Sequence, residues 1–129
     1  MSDAATTDDE ILGRIRVLCE RFPGADEGDL QARPLFRVGR RRFAIFNAAG
    51  SDDRPRWATS GRSLHFLADP SEIDALRYDD RFSPSPHHGD RGWLALRLED
   101  ASTVDWVEVA ELLESAYLQV APKADRHTP

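Results

Sequence analysis

Two stretches of the chain repeat apolar residues at the three- and four-residue spacing of an amphipathic helix. The first stretch places four apolar side chains on one face: Ile11, Ile15, Leu18 and Phe22. Thr7 and Glu10 match a capping box, which predicts that this helix begins at Thr7, and Pro23 ends it. The second stretch begins near Ser102–Asp105, is closed by Pro122, and carries the apolar stripe Trp106, Ala110, Leu113, Tyr117 and Val120. Both patterns predict helices that cover an apolar core.

The chain between these helices contains short apolar runs that predict strands. These runs are Leu35–Val38, Phe43–Phe46, Arg56–Thr59, Ser63–Leu67 and Gly92–Leu98. Gly39–Arg41 supplies the turn of a hairpin between the first two runs, and Asp69–Glu72 carries the start signals of a short helix. We interpret the acidic segment Ala25–Pro34 as a connection and the segment Arg81–Gly92, which contains prolines and glycines, as irregular.

Strands grouped between two terminal helices favour an α+β fold, with an antiparallel sheet and the N- and C-terminal helices packed on one face. The length of 129 residues is usual for one domain, and 40% apolar with 31% charged residues is typical of a globular chain. We expect the domain to span residues 8–122, with flexible residues 1–7 and 123–129 at its ends.

The sequence carries no feature that indicates secretion or membrane insertion. The first ten residues are acidic and polar rather than basic and apolar, and no apolar run approaches the roughly 20 residues of a membrane helix. Cys19 is the single cysteine, so no intramolecular disulfide forms. We expect a cytoplasmic protein in which Cys19 is a small buried hydrophobe rather than an activated thiol.

Charge is distributed unevenly along the chain. The formal net charge is −6, but the segment Arg33–Arg62 has eight arginines against two aspartates and therefore carries +6, which leaves −12 for the rest. Guanidinium groups bind phosphates and carboxylates in a bidentate way. The sole lysine of the chain is Lys123, and a genome that favours arginine codons explains this bias more simply than selection for guanidinium chemistry.

The arginines of this basic segment form the first candidate site. A basic hairpin can lie along a nucleic-acid groove as a wing and contact phosphates. The candidate nucleic-acid contacts are Arg37, Arg40, Arg41, Arg42, Arg54, Arg56 and Arg62. The alternative is a solvated hairpin whose aromatic residues face the core and whose arginines pair with an acidic surface.

Catalytic and metal-binding motifs are missing from the sequence. It has no G-x-S-x-G, H-E-x-x-H, C-x-x-C, G-x-G-x-x-G or P-loop pattern, and we expect no cofactor and no enzymatic activity. His87 and His88 are adjacent, so in an extended loop they point in opposite directions and an exposed loop is favoured over a metal site. A second candidate site is a pocket for a small molecule or metal, lined by Trp57, His87, His88, Arg91 and Trp93.

Several short motifs occur in an order and spacing that are specific as a set. They are Pro23-Gly24, Leu35-Phe36-Arg37-Val38-Gly39 with Phe43-Ala44, Phe66 to Glu72, Asp80-Arg81-Phe82, Gly89 to Leu94, and Asp105-Trp106 through Glu111 to Tyr117. On these motifs the chain resembles the MmcQ/YjbR family from Ile11 to about Lys123. The resemblance implies a CyaY-like α+β fold, also described as a double wing, and a DNA-binding label that rests largely on fold likeness. It implies no established activity or cofactor.

One loop departs from the family pattern, because relatives tend to have Pro-Tyr where Pro86-His87 stands here. His87 and His88 would change the chemistry of that loop if it recognises a ligand. The resulting hypothesis is a non-enzymatic binding domain whose partner is DNA, contacted through the arginine-rich hairpin. The alternatives are a module that binds an acidic protein partner and a pocket protein for a small molecule or metal. We expect no membrane association and a monomer or weak dimer.

Overall fold

The computed structural model describes residues 3–30, 32–48, 62–85, 92–99 and 101–122 of the chain. The helices among these residues are α1 (Asp3–Glu20), α2 (Ile73–Arg77) and α3 (Trp106–Val120). The strands are β1 (Ala25–Leu30), β2 (Arg33–Val38), β3 (Arg41–Asn47), β4 (Ser63–Leu67), β5 (Phe82–Pro84) and β6 (Trp93–Arg97).

The strands form one antiparallel sheet in the order β1-β2-β3-β4-β6-β5. The two long helices pack on the same face of this sheet, where Ile11 and Ile15 of α1 and Leu113 of α3 are fully buried. The sheet contributes alternate residues such as Leu64 and Phe66 to the same core. The α+β fold predicted from the sequence is therefore confirmed. The predicted stripe of α1 faces the core, whereas in α3 the core takes Val109 and Ala116 rather than the predicted Ala110.

A β-bulge in the β2–β3 hairpin adds an aromatic side chain to this core. Phe36 pairs with Ala44 and Arg37 pairs with Arg42, so Phe43 is left over between the two pairs. The extra residue breaks the strict alternation of faces. As a result, the consecutive residues Phe43 and Ala44 both join the core beneath the helices.

Phe43 belongs to an aromatic cluster that joins the hairpin to both long helices. The ring of Phe22, just after α1, stacks on Tyr117 of α3 at 4.7 Å between centroids. Phe43 meets both rings edge-on, at 6.1 Å from Phe22 and 5.9 Å from Tyr117. The Tyr117 hydroxyl donates a 2.6 Å hydrogen bond to the carbonyl of Pro23, so the C-terminal part of α3 is also fixed to the turn after α1.

The acidic segment that we interpreted as a connection contains an edge strand, so that interpretation is wrong. Strand β1 pairs with β2 from Ala25 opposite Val38 to Leu30 opposite Arg33. Its composition is poor for a strand, but its carboxylates find cationic partners across the fold. Glu27 receives two hydrogen bonds of 2.8 Å from Arg16 of α1. Pairing with β2 and the ion pair with Arg16 therefore outweigh the low strand propensity of this segment.

Two predicted helix starts are also wrong. Helix α1 begins at Asp3 instead of Thr7, since two alanines at positions 4 and 5 favour its extension. Helix α2 begins only at Ile73, because the Asp69 carboxylate accepts hydrogen bonds from both the backbone N–H and the hydroxyl of Ser71 and so closes a turn before the helix. By contrast, Asp105 caps α3 by accepting from the N–H of Glu108 at 3.1 Å.

The segment Arg81–Gly92, which we interpreted as irregular, contains the short strand β5. Its three residues pair with β6, from Phe82 opposite Leu96 to Pro84 opposite Leu94. Proline is tolerated here because β5 is an edge strand with one unpaired side. The predicted strand Arg56–Thr59 lies outside the described residues.

A largely buried ion pair ties α1 to the central strands. Arg62, just before β4, donates to the Asp8 carboxylate of α1 at 2.6 Å and also to the carbonyl of Glu99 after β6. The side chains of Arg62 and Asp8 are only 10% and 16% exposed. If one partner is removed, the other charge remains buried without a counter-ion, so breaking this pair lowers the free energy of unfolding considerably.

We predict that Asp8→Ala lowers the free energy of unfolding by about 2–4 kcal/mol, since it leaves the Arg62 guanidinium without its carboxylate. Asp26→Ala is the control, because it removes the exposed partner of Arg37 and should cost less than about 1 kcal/mol. Urea denaturation at neutral pH, followed by circular dichroism, measures both. Equal effects of the two variants would contradict the conclusion that the buried Arg62–Asp8 ion pair stabilises the fold.

Candidate functional site

The turn of the β2–β3 hairpin presents three consecutive arginines, Arg40, Arg41 and Arg42, which we call the arginine tip. A two-residue turn joins Val38 to Arg41, and Gly39 stands in its first position with a φ of 62°. Glycine adopts this left-handed conformation without strain, and glycine in this position is preferred in type II′ hairpin turns. All three tip side chains are exposed.

The three arginines of the tip have no acidic partner among the described residues. Other arginines are engaged: Arg16 with Glu27, Arg62 with Asp8, and Arg81 with Asp79 and Glu108. Within the described part of the chain, no carboxylate lies within ion-pair distance of Arg40, Arg41 or Arg42. The tip is therefore a run of positive charge that the described residues do not neutralise.

The tip presents guanidinium groups on both faces of the hairpin. Arg41 lies opposite Val38, which packs against the core beneath the helices. Arg42 lies opposite Arg37, and because successive strand residues point to opposite faces, it projects to the side away from the helices. The hairpin can therefore contact anions on two sides at once.

Arg37 lies near the tip but is partly neutralised. Its Nε donates a 3.0 Å hydrogen bond to the Asp26 carboxylate of β1. Its guanidinium also lies directly over Gly28, where an added Cβ would come within 2.8 Å of Nη1. Glycine at this position thus lets Arg37 lie flat on the edge strand, with its side chain still 38% exposed.

The remaining predicted nucleic-acid contacts are not brought to the tip by the described structure. Arg62 is enclosed in its ion pair with Asp8, at the end of the sheet where Asn47 pairs with Ser63, whereas the tip lies at the opposite end. Its guanidinium is therefore not available to a phosphate while that pair is intact. Arg54 and Arg56 lie outside the described residues.

The predicted pocket falls mostly outside the described residues, which do not include Trp57, His87, His88 or Arg91. Trp93 is buried and packs with Leu35 and Ile45 on the face of the sheet away from the helices. Among the described residues, no cluster of histidine, cysteine and carboxylate side chains has the geometry to hold a metal ion. The pocket stays a prediction from the sequence.

A buried polar cluster that the sequence analysis missed lies on the same face as Trp93. The ring of His65 lies between two hydroxyls, with Nε2 2.9 Å from Ser63 Oγ and Nδ1 2.9 Å from Ser85 Oγ. A serine hydrogen-bonded to an imidazole is an arrangement used in nucleophilic catalysis. Here all three side chains are buried, so the contacts hold β4 to the segment after β5. Alternation along β4 is the signal that places His65 opposite the Leu64–Phe66 face.

Two titratable groups have pKa values that limit what they can do. Burial raises the pKa of the Cys19 thiol to about 12, so it stays protonated and is not a nucleophile at neutral pH. Side-chain hydrogen bonds from Arg81, followed by a backbone hydrogen bond from the same residue, lower the pKa of Asp79 to about 2. Arg81 also pairs with Glu108 at 2.7 Å beside a cavity of about 190 Å³. With carboxylates on two sides, Arg81 is not free to hold an anion there.

Comparison with known proteins agrees with this architecture. The fold is an α+β domain with an antiparallel sheet, two long helices on one face and a basic hairpin at its end. Residues 20–119 match the sequence model of the YjbR family. The chain belongs to the YjbR family, as the resemblance of its motifs predicted.

A solved structure supports the fold independently. The crystal structure of the Deinococcus radiodurans protein DR2400, which has a DUF419 domain, superposes with a TM-score of 0.68 at 24% sequence identity. The match covers 89% of this chain and 84% of the other. At this identity the likeness shows the fold alone. No match was found among curated proteins.

None of the helices among the described residues is long and apolar enough to span a membrane.

We predict that Arg81→Gln raises the pKa of Asp79 from about 2 toward its ordinary value, because the guanidinium donors are lost. Since the folded pKa lies below the unfolded one of about 3.9, this pair stabilises the fold at neutral pH and its contribution is lost as the pH falls from about 4 toward 2. Carboxyl ¹³C NMR titration measures the pKa. Arg77→Gln, at a nearby exposed arginine, should leave it unchanged, and a shift in this control alone would contradict the assignment.

Proposed function

We propose that this protein binds the phosphate backbone of nucleic acid through the arginine tip. The observation that carries the proposal is the run Arg40-Arg41-Arg42, exposed and without an acidic partner in the described structure. In a chain with 23 acidic residues against 17 basic ones, Arg16, Arg37, Arg62 and Arg81 each pair with a carboxylate. An unneutralised cluster of guanidinium groups is suited to bidentate contacts with phosphate.

The two-sided geometry of the tip favours a groove over a flat acidic surface. Arg41 and Arg42 project to opposite faces of a two-stranded ribbon. The major groove of B-DNA is about 12 Å wide and admits such a ribbon, with phosphates along both walls. A hairpin inserted there would contact one strand from each face.

The hairpin is held in place before any ligand arrives. Phe43 directly follows Arg42 and is fully buried in the aromatic cluster with Phe22 and Tyr117. The glycine turn on the other side is unstrained. Because the hairpin backbone is already ordered, it loses little conformational entropy on binding. The main loss of conformational entropy is that of the arginine side chains.

The acidic remainder of the protein limits the contact to the tip. Asp26 partly neutralises Arg37, and the other acidic side chains of β1 flank the hairpin on one side. Repulsion between these carboxylates and phosphates would weaken binding by any broader face. We therefore expect modest affinity, little sequence preference and a marked dependence on salt.

The first test is duplex DNA binding measured by fluorescence anisotropy across a series of salt concentrations. Each phosphate neutralised on a duplex contributes roughly −0.9 to the slope of log K against log salt, so three arginines predict a slope of about −2.7. A slope of that size supports binding through the tip. Failure to bind at low salt would contradict the proposal and leave an acidic protein surface as the partner to seek.

A second test separates the position of the charge from net charge. Arg41→Glu and Arg77→Glu change net charge equally, and both residues are exposed and unpaired among the described residues. Arg77 ends α2, which contacts β5 at the opposite edge of the sheet from β1. We predict that Arg41→Glu weakens binding about tenfold or more and lowers the salt slope by about one, while Arg77→Glu has a small effect. Equal losses would mean that net charge alone is responsible.

A further inference from the structure

The outer surface of α1 carries an apolar groove that the fold does not use. Gly13, Val17 and Leu18 line it together with Trp106 at the start of α3, and it is a shallow, open depression of about 420 Å³. Val17 is 51% exposed, whereas the core-facing residues of α1 are buried. Val17 therefore adds an exposed apolar side chain beside Leu18 and Trp106, which themselves pack partly against the core.

Gly13 lies at the bottom of the groove, and its presence lowers the stability of the helix. A glycine inside a helix is less favourable than alanine by about 1 kcal/mol. The fold itself does not need it, since an added Cβ at Gly13 would meet nothing within 4 Å. Absence of a side chain permits another backbone to approach closely. The surface at Gly13 is therefore open to close approach by a backbone from outside the chain.

The charges beside the groove indicate what that contact is. Asp9 and Glu10 lie on the N-terminal side of Gly13, and Arg14 lies on the C-terminal side, with its guanidinium 5.3 Å from the centre of the Trp106 ring. An acidic half followed by a basic half is complementary to itself when two helices run antiparallel. A two-fold axis on the groove side of α1, at the level of position 12, sets Glu10 of each copy opposite Arg14 of the other, since each lies two residues from that level.

We propose that the α1 groove is the interface of a symmetric dimer, occupied by α1 of a second copy of this chain. Gly13 of each copy lies next to the level of the axis, where the helices approach most closely, and Val17 lies about 7.5 Å along the helix from the axis, level with Thr7 of the other copy. Glu10 and Arg14 form two equivalent ion pairs at the rim of the groove. A single helix face is a small interface, so the dimer is weak and reversible. Because α1 ends at the hairpin end of the sheet, antiparallel pairing sends the two arginine tips to opposite ends of the dimer.

Sedimentation velocity tests the proposal on the full chain, from about 10 µM to about 1 mM, which spans the dissociation constants of weak complexes. The sedimentation coefficient should rise with concentration. Val17→Glu should raise the dissociation constant about tenfold or more, because it places a charge in an apolar contact. Val107→Glu is the matched control, since Val107 is 72% exposed on α3 and does not line the groove. A monomer at every concentration, or equal effects of the two variants, would overturn the proposal.

Charge reversal tests the antiparallel geometry itself. Glu10→Arg and Arg14→Glu should each weaken the dimer, because each places like charges opposite one another in both ion pairs. The double variant restores opposite charges and should recover most of the affinity. If the double variant is weaker than either single one, the antiparallel pairing is wrong.

Gly13→Leu separates an effect on the interface from an effect on folding. Leucine has a higher helix propensity than glycine and meets open space in the single chain, so the melting temperature measured at low concentration should rise. The same side chain fills the groove and should raise the dissociation constant of the dimer about tenfold or more. An unchanged dimer in this variant would contradict close approach at Gly13.

Discussion

The aromatic contact between Phe43, Phe22 and Tyr117 is the interaction on which the rest of the arrangement depends. It fixes the β2–β3 hairpin to the C-terminal parts of both long helices at once. Phe43 turns into the core directly after Arg42, which points away from the helices, and the β-bulge lets the next residue, Ala44, join the same core. The base of the arginine tip is therefore anchored to a packed core.

Ion pairing distinguishes arginines that stabilise the fold from arginines that are available to bind a ligand. Arg62 joins α1 to the central strands through Asp8, and Arg81 joins the turn before β5 to α3 through Glu108. These pairs use carboxylates that would otherwise repel a polyanion. The acidic character of the whole chain and the positive charge of the tip are therefore compatible, since Asp8, Asp79 and Glu108 are each paired with an arginine of the fold. The proposed function and the proposed dimer use different faces: one uses the hairpin end, and the other uses the middle of α1.

Much of the fold followed from the sequence because its main elements have strong local patterns. The stripe of α1, most of the stripe of α3 and the alternation in β4 and β6 placed the core correctly, with Ala110 as the exception. Strand β1 was missed because acidic residues and Gly28 suit a strand poorly, and its stability comes from β2 and from Arg16. Strand β5 was missed because it has only three residues, one of them a proline, which is too short to show the alternation of apolar and polar residues typical of a strand.

The candidate site was only partly predictable, for a related reason. The charge pattern located the arginine tip and its turn. It did not reveal that Arg62 is paired, because Asp8 is 54 residues away in the sequence. Nor did it show that Gly28 receives the Arg37 guanidinium, since that contact exists only once β1 pairs with β2. Contacts between distant segments decide which charged residues remain available, and a single sequence does not display them.

The most direct measurement of the central claim is a ¹H–¹⁵N NMR titration of the labelled protein with a short duplex at low salt. The amides of residues 39–43 and the Nε–H signals of Arg40, Arg41 and Arg42 should shift progressively. Signals from α2, including Arg77, should stay in place. Shifts centred on α1 or α3, or no shifts at all, would contradict binding of nucleic acid through the arginine tip.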